Sequence, residues 1–180
     1  MVDAIEDQEC GMTDQLGGDA IFSRSGGEIQ AVLTRFFEHP PAAVWTMLTD
    51  AARLPLWLAP GEIELRLGGA ARLDFVDSGT VIDSHVSAYE PHRLLEYSWS
   101  GPGEPARPVR WTLDRANGGS QLTLTVRVPE TEDAGRACAG WEAHLEMLAA
   151  ALEGVPIKFP FETFKAAREA YRARLENGIS

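Results

Sequence analysis

The spacing of apolar and polar positions changes character along this chain, and each change marks an element. Residues 28–38, Glu-Ile-Gln-Ala-Val-Leu-Thr-Arg-Phe-Phe-Glu, are rich in β-forming side chains and predict a first strand, stopped by His39-Pro40-Pro41. Pro41 suits the first turn of a helix, and Val44, Trp45 and Leu48 share one face of 42–48. Thr49-Asp50 then breaks that helix and recaps a second short one through Leu58. Six further strands follow at 63–67, 71–76, 80–89, 94–100, 109–115 and 121–128, each gap carrying Gly, Pro, Asn or Asp chemistry for reversing the chain. In the last of them Leu122, Leu124, Val126 and Val128 alternate with Gln121, Thr123, Thr125 and Arg127, as in a sheet that is wet on one side. Leu95, Tyr97 and Trp99, then Val109, Trp111 and Leu113, repeat the alternation and make one face strongly aromatic.

Beyond this meander the period becomes helical. Cys138, Trp141, Leu145, Leu148 and Leu152 recur at spacings of 3, 4, 3 and 4, which puts them on one helix face. Thr131 can cap this long helix, with Glu132 and Asp133 at its positive end, and Gly154 with Pro156 stops it. Its stripe must lie on something apolar, and the aromatic sheet face is at hand; a long helix over an antiparallel sheet can enclose a pocket as well as a core. A last helix is predicted over 161–175. Its apolar positions Phe161, Phe164, Ala167, Ala170, Tyr171 and Leu175 suit packing on the domain or on a partner, a second copy of the chain included. Lys165, Arg168, Arg172 and Arg174 make it the most basic piece.

Composition narrows the class. With 180 residues, 44% hydrophobic and 24% charged, the chain suits one folded domain. A net charge of -11 disfavours nucleic acid as partner, and no apolar run is long enough for a membrane span. The start lacks the basic and apolar regions of a signal peptide, so a cytoplasmic location is expected, with Cys10 and Cys138 as reduced thiols. Asp3, Glu6, Asp7, Glu9, Asp14 and Asp19 crowd the first twenty residues without Lys or Arg, which predicts a flexible acidic tail over 1–26, a domain over 27–155 and a helical extension over 156–180.

Several phrases together carry a resemblance: Val44-Trp45-Thr46-Met47-Leu48-Thr49-Asp50, Leu54 with Trp57, Leu67-Gly68-Gly69 with Arg72, Tyr89-Glu90-Pro91-His92-Arg93-Leu94 running into Tyr97-Ser98-Trp99, and Gly140-Trp141 with Leu145, Leu148 and Gly154. Over about residues 28–155 the chain resembles the SRPBCC superfamily of START-like and birch-pollen-allergen-like proteins, in the bacterial branch related to the activator of heat-shock protein 90 ATPase. The resemblance implies an α+β helix-grip fold, a curved antiparallel sheet wrapped around a long C-terminal helix, with a cavity between them. One fold hosts lipid carriers, cyclases, receptors and co-chaperones, so function has to come from the site.

Given such a cavity, Trp57, Phe75, Tyr97, Trp99, Trp111 and Trp141 are its candidate walls, or else plain core. Trp45 reads as core. His85 shares a strand side with Asp83, which offers an imidazole and a carboxylate for proton transfer if that side is dry, or a wet face if it is not. His144, beside the Trp141 stripe, either orients a guest or sits bonded at the rim. Metal and nucleotide chemistry find no support: His39, His85, His92 and His144 share no ligand spacing, and Gly68-Gly69 and Gly118-Gly119 are strand turns rather than phosphate loops. No cofactor is expected. The expected function is binding of a small hydrophobic or aromatic ligand without assigned catalysis. A protein-interaction module, or a cyclase-like enzyme using Asp83, His85 or His144, are the alternatives.

Overall fold

The computed structural model describes residues 20–179. Eight antiparallel strands form one sheet: β1 (Ile21–Ser25), β2 (Glu28–Phe37), β3 (Gly61–Ile63), β4 (Ala70–Phe75), β5 (Thr80–Glu90), β6 (Leu94–Ser98), β7 (Pro108–Ala116) and β8 (Gly119–Pro129). They are ordered β1-β2-β8-β7-β6-β5-β4-β3. Three helices complete the chain: α1 (Pro41–Thr49), α2 (Ala134–Leu152) and α3 (Phe161–Glu176). This is the α+β helix-grip architecture expected from the sequence.

The alternation in β8 sets the inner face. Leu122, Leu124 and Val126 pair across β7 with Leu113, Trp111 and Val109, so apolar side chains from both strands fall on the same side. All six are buried. Between Val86 and Ala88 the register of β5 with β6 shifts, a bulge that turns the sheet as β5 passes from β6 to β4. Cys138, Trp141, Leu145 and Leu148 of α2 close over this face and are buried, as their spacing requires.

Local chemistry moves several boundaries. Residues 21–25, expected in the tail, form β1, because pairing with β2 satisfies their backbone and Phe22 reaches the core. Residues 1–19 of that acidic segment, with Cys10, lie outside the described residues. The expected second helix shrinks to a 3-10 turn at Leu54–Leu56, since Pro55 has no N–H to extend it. The strand expected over 63–67 ends at Ile63, and Leu67 is exposed. Asp133, rather than Thr131, caps α2, accepting from the Arg136 amide at 2.8 Å. At the other end Gly154 takes a φ of 77°, the left-handed stop that its place in the sequence suggests.

The extension packs on its own domain. Ala167 and Tyr171 of α3 are buried, and the Tyr171 hydroxyl donates to the buried carboxylate of Glu142 on α2. That carboxylate also pairs with Arg35 of β2. The Ala20 amide reaches the same Tyr171 oxygen at 3.3 Å, and Arg174 donates to the Ala20 carbonyl at 2.7 Å. One buried cluster therefore ties β1, β2, α2 and α3 together. Burial pushes the Tyr171 phenol up to about 12, so it stays protonated to donate.

A candidate aromatic site under the long helix

Between α2 and the sheet runs a chain of rings in edge contact. Trp57, fully buried after the 3-10 turn, meets Trp111 of β7 with centroids 5.7 Å apart. Trp111 meets Trp141 of α2 at 5.4 Å, and Trp141 meets Trp99 at 4.6 Å. Trp99 follows β6 and touches both Tyr97, at 6.5 Å, and Phe75 at the end of β4, at 5.6 Å. His144, one turn after Trp141, stands 6.0 Å from Phe75 and 5.4 Å from Phe159. Such edge-to-face pairs set the positive rim of one ring against the negative face of the next.

The chain is buried at one end and open at the other. Trp57, Tyr97, Trp111 and Trp141 are buried, whereas Phe75, Trp99, His144 and Phe159 are only half-buried. Beyond Phe159, Phe161 is 64% exposed. The cavity expected between helix and sheet is taken up by these rings, since Trp57, Tyr97, Trp111 and Trp141 are each at most 5% exposed. An open depression of about 590 Å³ lies elsewhere, beside the β7–β8 turn, against Glu38, Pro41, Arg115 and Asn117.

Polar groups here are few and held. The Trp57 indole donates to the Met47 carbonyl at 2.7 Å, which fixes its ring. Nδ1 of His144 lies 2.9 Å from the Trp57 carbonyl. Burial holds the His144 imidazole below its ordinary pKa, with the Trp57 carbonyl opposing part of that shift. The imidazole is therefore neutral near pH 7. Burial also raises the Tyr97 phenol above its ordinary value, against the Trp111 indole that bonds to it, and raises the Cys138 thiol to about 12. Among the described residues every buried polar side-chain atom has a partner, and no three potential metal ligands cluster.

Seven of the eight expected residues come together here, and His85 does not. It is exposed on the outer face, because Ile82, Ser84 and Val86 take the inner side of β5. Asp83 shares that outward side, so the wet-face reading of this strand holds and the acid-base alternative for Asp83 and His85 has no dry pocket to work in. Phe159 went unanticipated, lying in the connection between α2 and α3, where no periodicity marks it. Glu142 was missed as well, although it falls four residues after Cys138 and three before Leu145.

The profile of the family described as "Activator of Hsp90 ATPase homolog 1-like protein" matches residues 38–153. The chain belongs to that family. Structures similar to this domain include CalU16 from Micromonospora echinospora, at 23% identity, covering 87% of this chain and 96% of that one with a TM-score of 0.73. The protein encoded by gene BPP1335 from Bordetella parapertussis is 28% identical over 87% of this chain and 91% of its own, at a TM-score of 0.66. DynU16, from the dynemicin biosynthetic locus, is 28% identical over 73% of this chain but 49% of its own length, at 0.64. Among curated proteins no sequence matches. In this family member no helix among the described residues is long and apolar enough to cross a membrane.

Proposed function

We propose that this domain binds one small, flat, largely apolar molecule at the open end of its ring chain, between Phe75, Trp99, His144 and Phe159. The observation that carries the reading is the graded burial of one continuous aromatic path, from fully covered Trp57 to half-covered Trp99 and Phe159. A guest enters by displacing Phe75, Trp99 or Phe159, the half-buried rings that no side-chain hydrogen bond fixes, past His144, which the Trp57 carbonyl holds. Stacking on them removes apolar area from water at roughly 25 cal/mol per Å², less the cost of ordering guest and rings. The similarity to DynU16, from the dynemicin biosynthetic locus, supports a ligand-binding reading of the fold. No step of catalysis is assigned.

Calorimetric titration of the full chain with 2-methoxynaphthalene tests the reading. One-to-one saturable binding with a negative heat-capacity change is expected. Absence of saturable heat at the solubility limit overturns it.

A second reading, docking of a protein partner, is supported by the apolar side chains left in water in the α2–α3 connection and at the start of α3. Val155 is 65% exposed and Phe161 64%. It predicts that the double substitution of Val155 and Phe161 by Ser leaves 2-methoxynaphthalene binding unchanged while removing a protein contact.

A further inference from the structure

We infer that His144 selects, among aromatic guests, those carrying a hydroxyl or N–H donor, with its Nε2 atom as the acceptor. The inference rests on the ligand reading above and names the chemistry of the guest. It follows from the tautomer. A carbonyl oxygen only accepts, so the 2.9 Å contact with the Trp57 carbonyl requires the proton on Nδ1 of His144. In a neutral imidazole the other nitrogen is then a bare acceptor. Nε2 points away from Trp57, and no described residue bonds to it.

The rings packed on His144 are those of Phe75, Trp141 and Phe159. None of these rings donates a hydrogen bond to Nε2, so the acceptor is matched only by water or by a guest. The Trp57 carbonyl belongs to the fixed end of the path, since its own indole is tied to Met47. The acceptor is thereby held in one direction before any guest arrives. A flat ring lying against Trp99 and Phe159 with a hydroxyl at its edge meets both demands of this end: apolar faces and one donor. A phenol-type molecule is the matching class; a carboxylate is not, because it brings charge and no donor to a neutral acceptor.

The test compares 2-naphthol with 2-methoxynaphthalene by calorimetry at pH 7.5, on the full chain and on His144→Asn. Asparagine can still donate to the Trp57 carbonyl but has no atom at the Nε2 position, so the fold is kept while the acceptor is removed. About tenfold tighter binding of 2-naphthol by the unaltered protein is expected, falling to parity in His144→Asn. Equal binding of the two by the unaltered protein, or a preference that survives in His144→Asn, overturns this inference and leaves the ligand reading standing. Binding of neither overturns both. Should His144→Asn fail to fold, His144→Gln keeps an amide oxygen near Nε2 and is expected to retain part of the preference; loss of all ring binding by that variant with its fold intact overturns the assignment of His144 as a selector.

Discussion

Trp99 sets its ring against Trp141 with 4.6 Å between centroids and 64° between planes, and the two differ in burial, Trp141 at 5% exposed and Trp99 half-buried. At this contact the covered part of the aromatic path gives way to the part that can move. Removing the Trp99 ring should therefore affect binding more than folding. Trp99→Ala is expected to lower 2-methoxynaphthalene affinity at least tenfold while costing about 2 kcal/mol of stability, less than a fully buried tryptophan. Urea unfolding and calorimetry on the same preparation separate the two effects.

Trp57 lies at the other extreme. Its ring is fully buried against Trp111 and its indole nitrogen is bonded to Met47. Trp57→Phe keeps a ring but loses that bond and leaves space, so a loss of about 2–3 kcal/mol is expected in urea midpoint and slope. A loss below about 0.5 kcal/mol would show that the ring chain is not anchored there.

Glu142 is a buried carboxylate shared by Arg35 and Tyr171. Taking away one partner of a buried pair leaves the other uncompensated, so Glu142→Ala should cost about 3 kcal/mol, while Tyr171→Phe removes the hydroxyl that donates to Glu142 and accepts from the Ala20 amide and should cost about 1–2 kcal/mol. Because β1 and α3 both hang on this cluster through Ala20 and Tyr171, amide exchange in both should accelerate together in either variant, with β7 and β8 protected as before. Acceleration in α3 alone would contradict the shared latch.

The pH profile follows from His144. Its folded-state pKa is lowered by burial, so between that value and the ordinary one near 6.5 the unfolded chain binds more protons. Stability contributed by the neutral imidazole is present above about pH 6.5 and is lost as pH falls through the folded-state value. His144→Asn should flatten this part of the curve, measured as thermal midpoint from pH 7.5 downwards. At the alkaline end Tyr171, raised to about 12, should contribute a loss of stability as pH rises from about 10, and Tyr171→Phe should remove it.

Periodicity carries the parts of this fold that depend on one side of one element. The Cys138, Trp141, Leu145 and Leu148 stripe and the Leu122, Leu124 and Val126 alternation were legible because each faces a single apolar layer. β1 was hidden because Ile21–Ser25 buries little beyond Phe22, and its strand state comes from hydrogen bonds to β2 rather than from its own side chains. The inward side of β5 was ambiguous: Asp83 and His85 alternate with Ile82, Ser84 and Val86, and only the neighbouring strands decide that the serine, not the histidine, goes inside. Glu142 could not be placed without Arg35, 107 residues earlier. Phe159 sits in an irregular connection, and its contact with His144 comes from how α3 folds back on α2.

The central claim is that the open end of the ring chain takes a flat aromatic guest, and a crystal structure of the full chain with 2-methoxynaphthalene tests it most directly. The account predicts the guest between Trp99, His144 and Phe159, with at least one of the half-buried rings turned from its present position and Trp57, Trp111 and Trp141 unmoved. A guest found instead in the depression beside the β7–β8 turn, or on the outer face of the sheet, would contradict it.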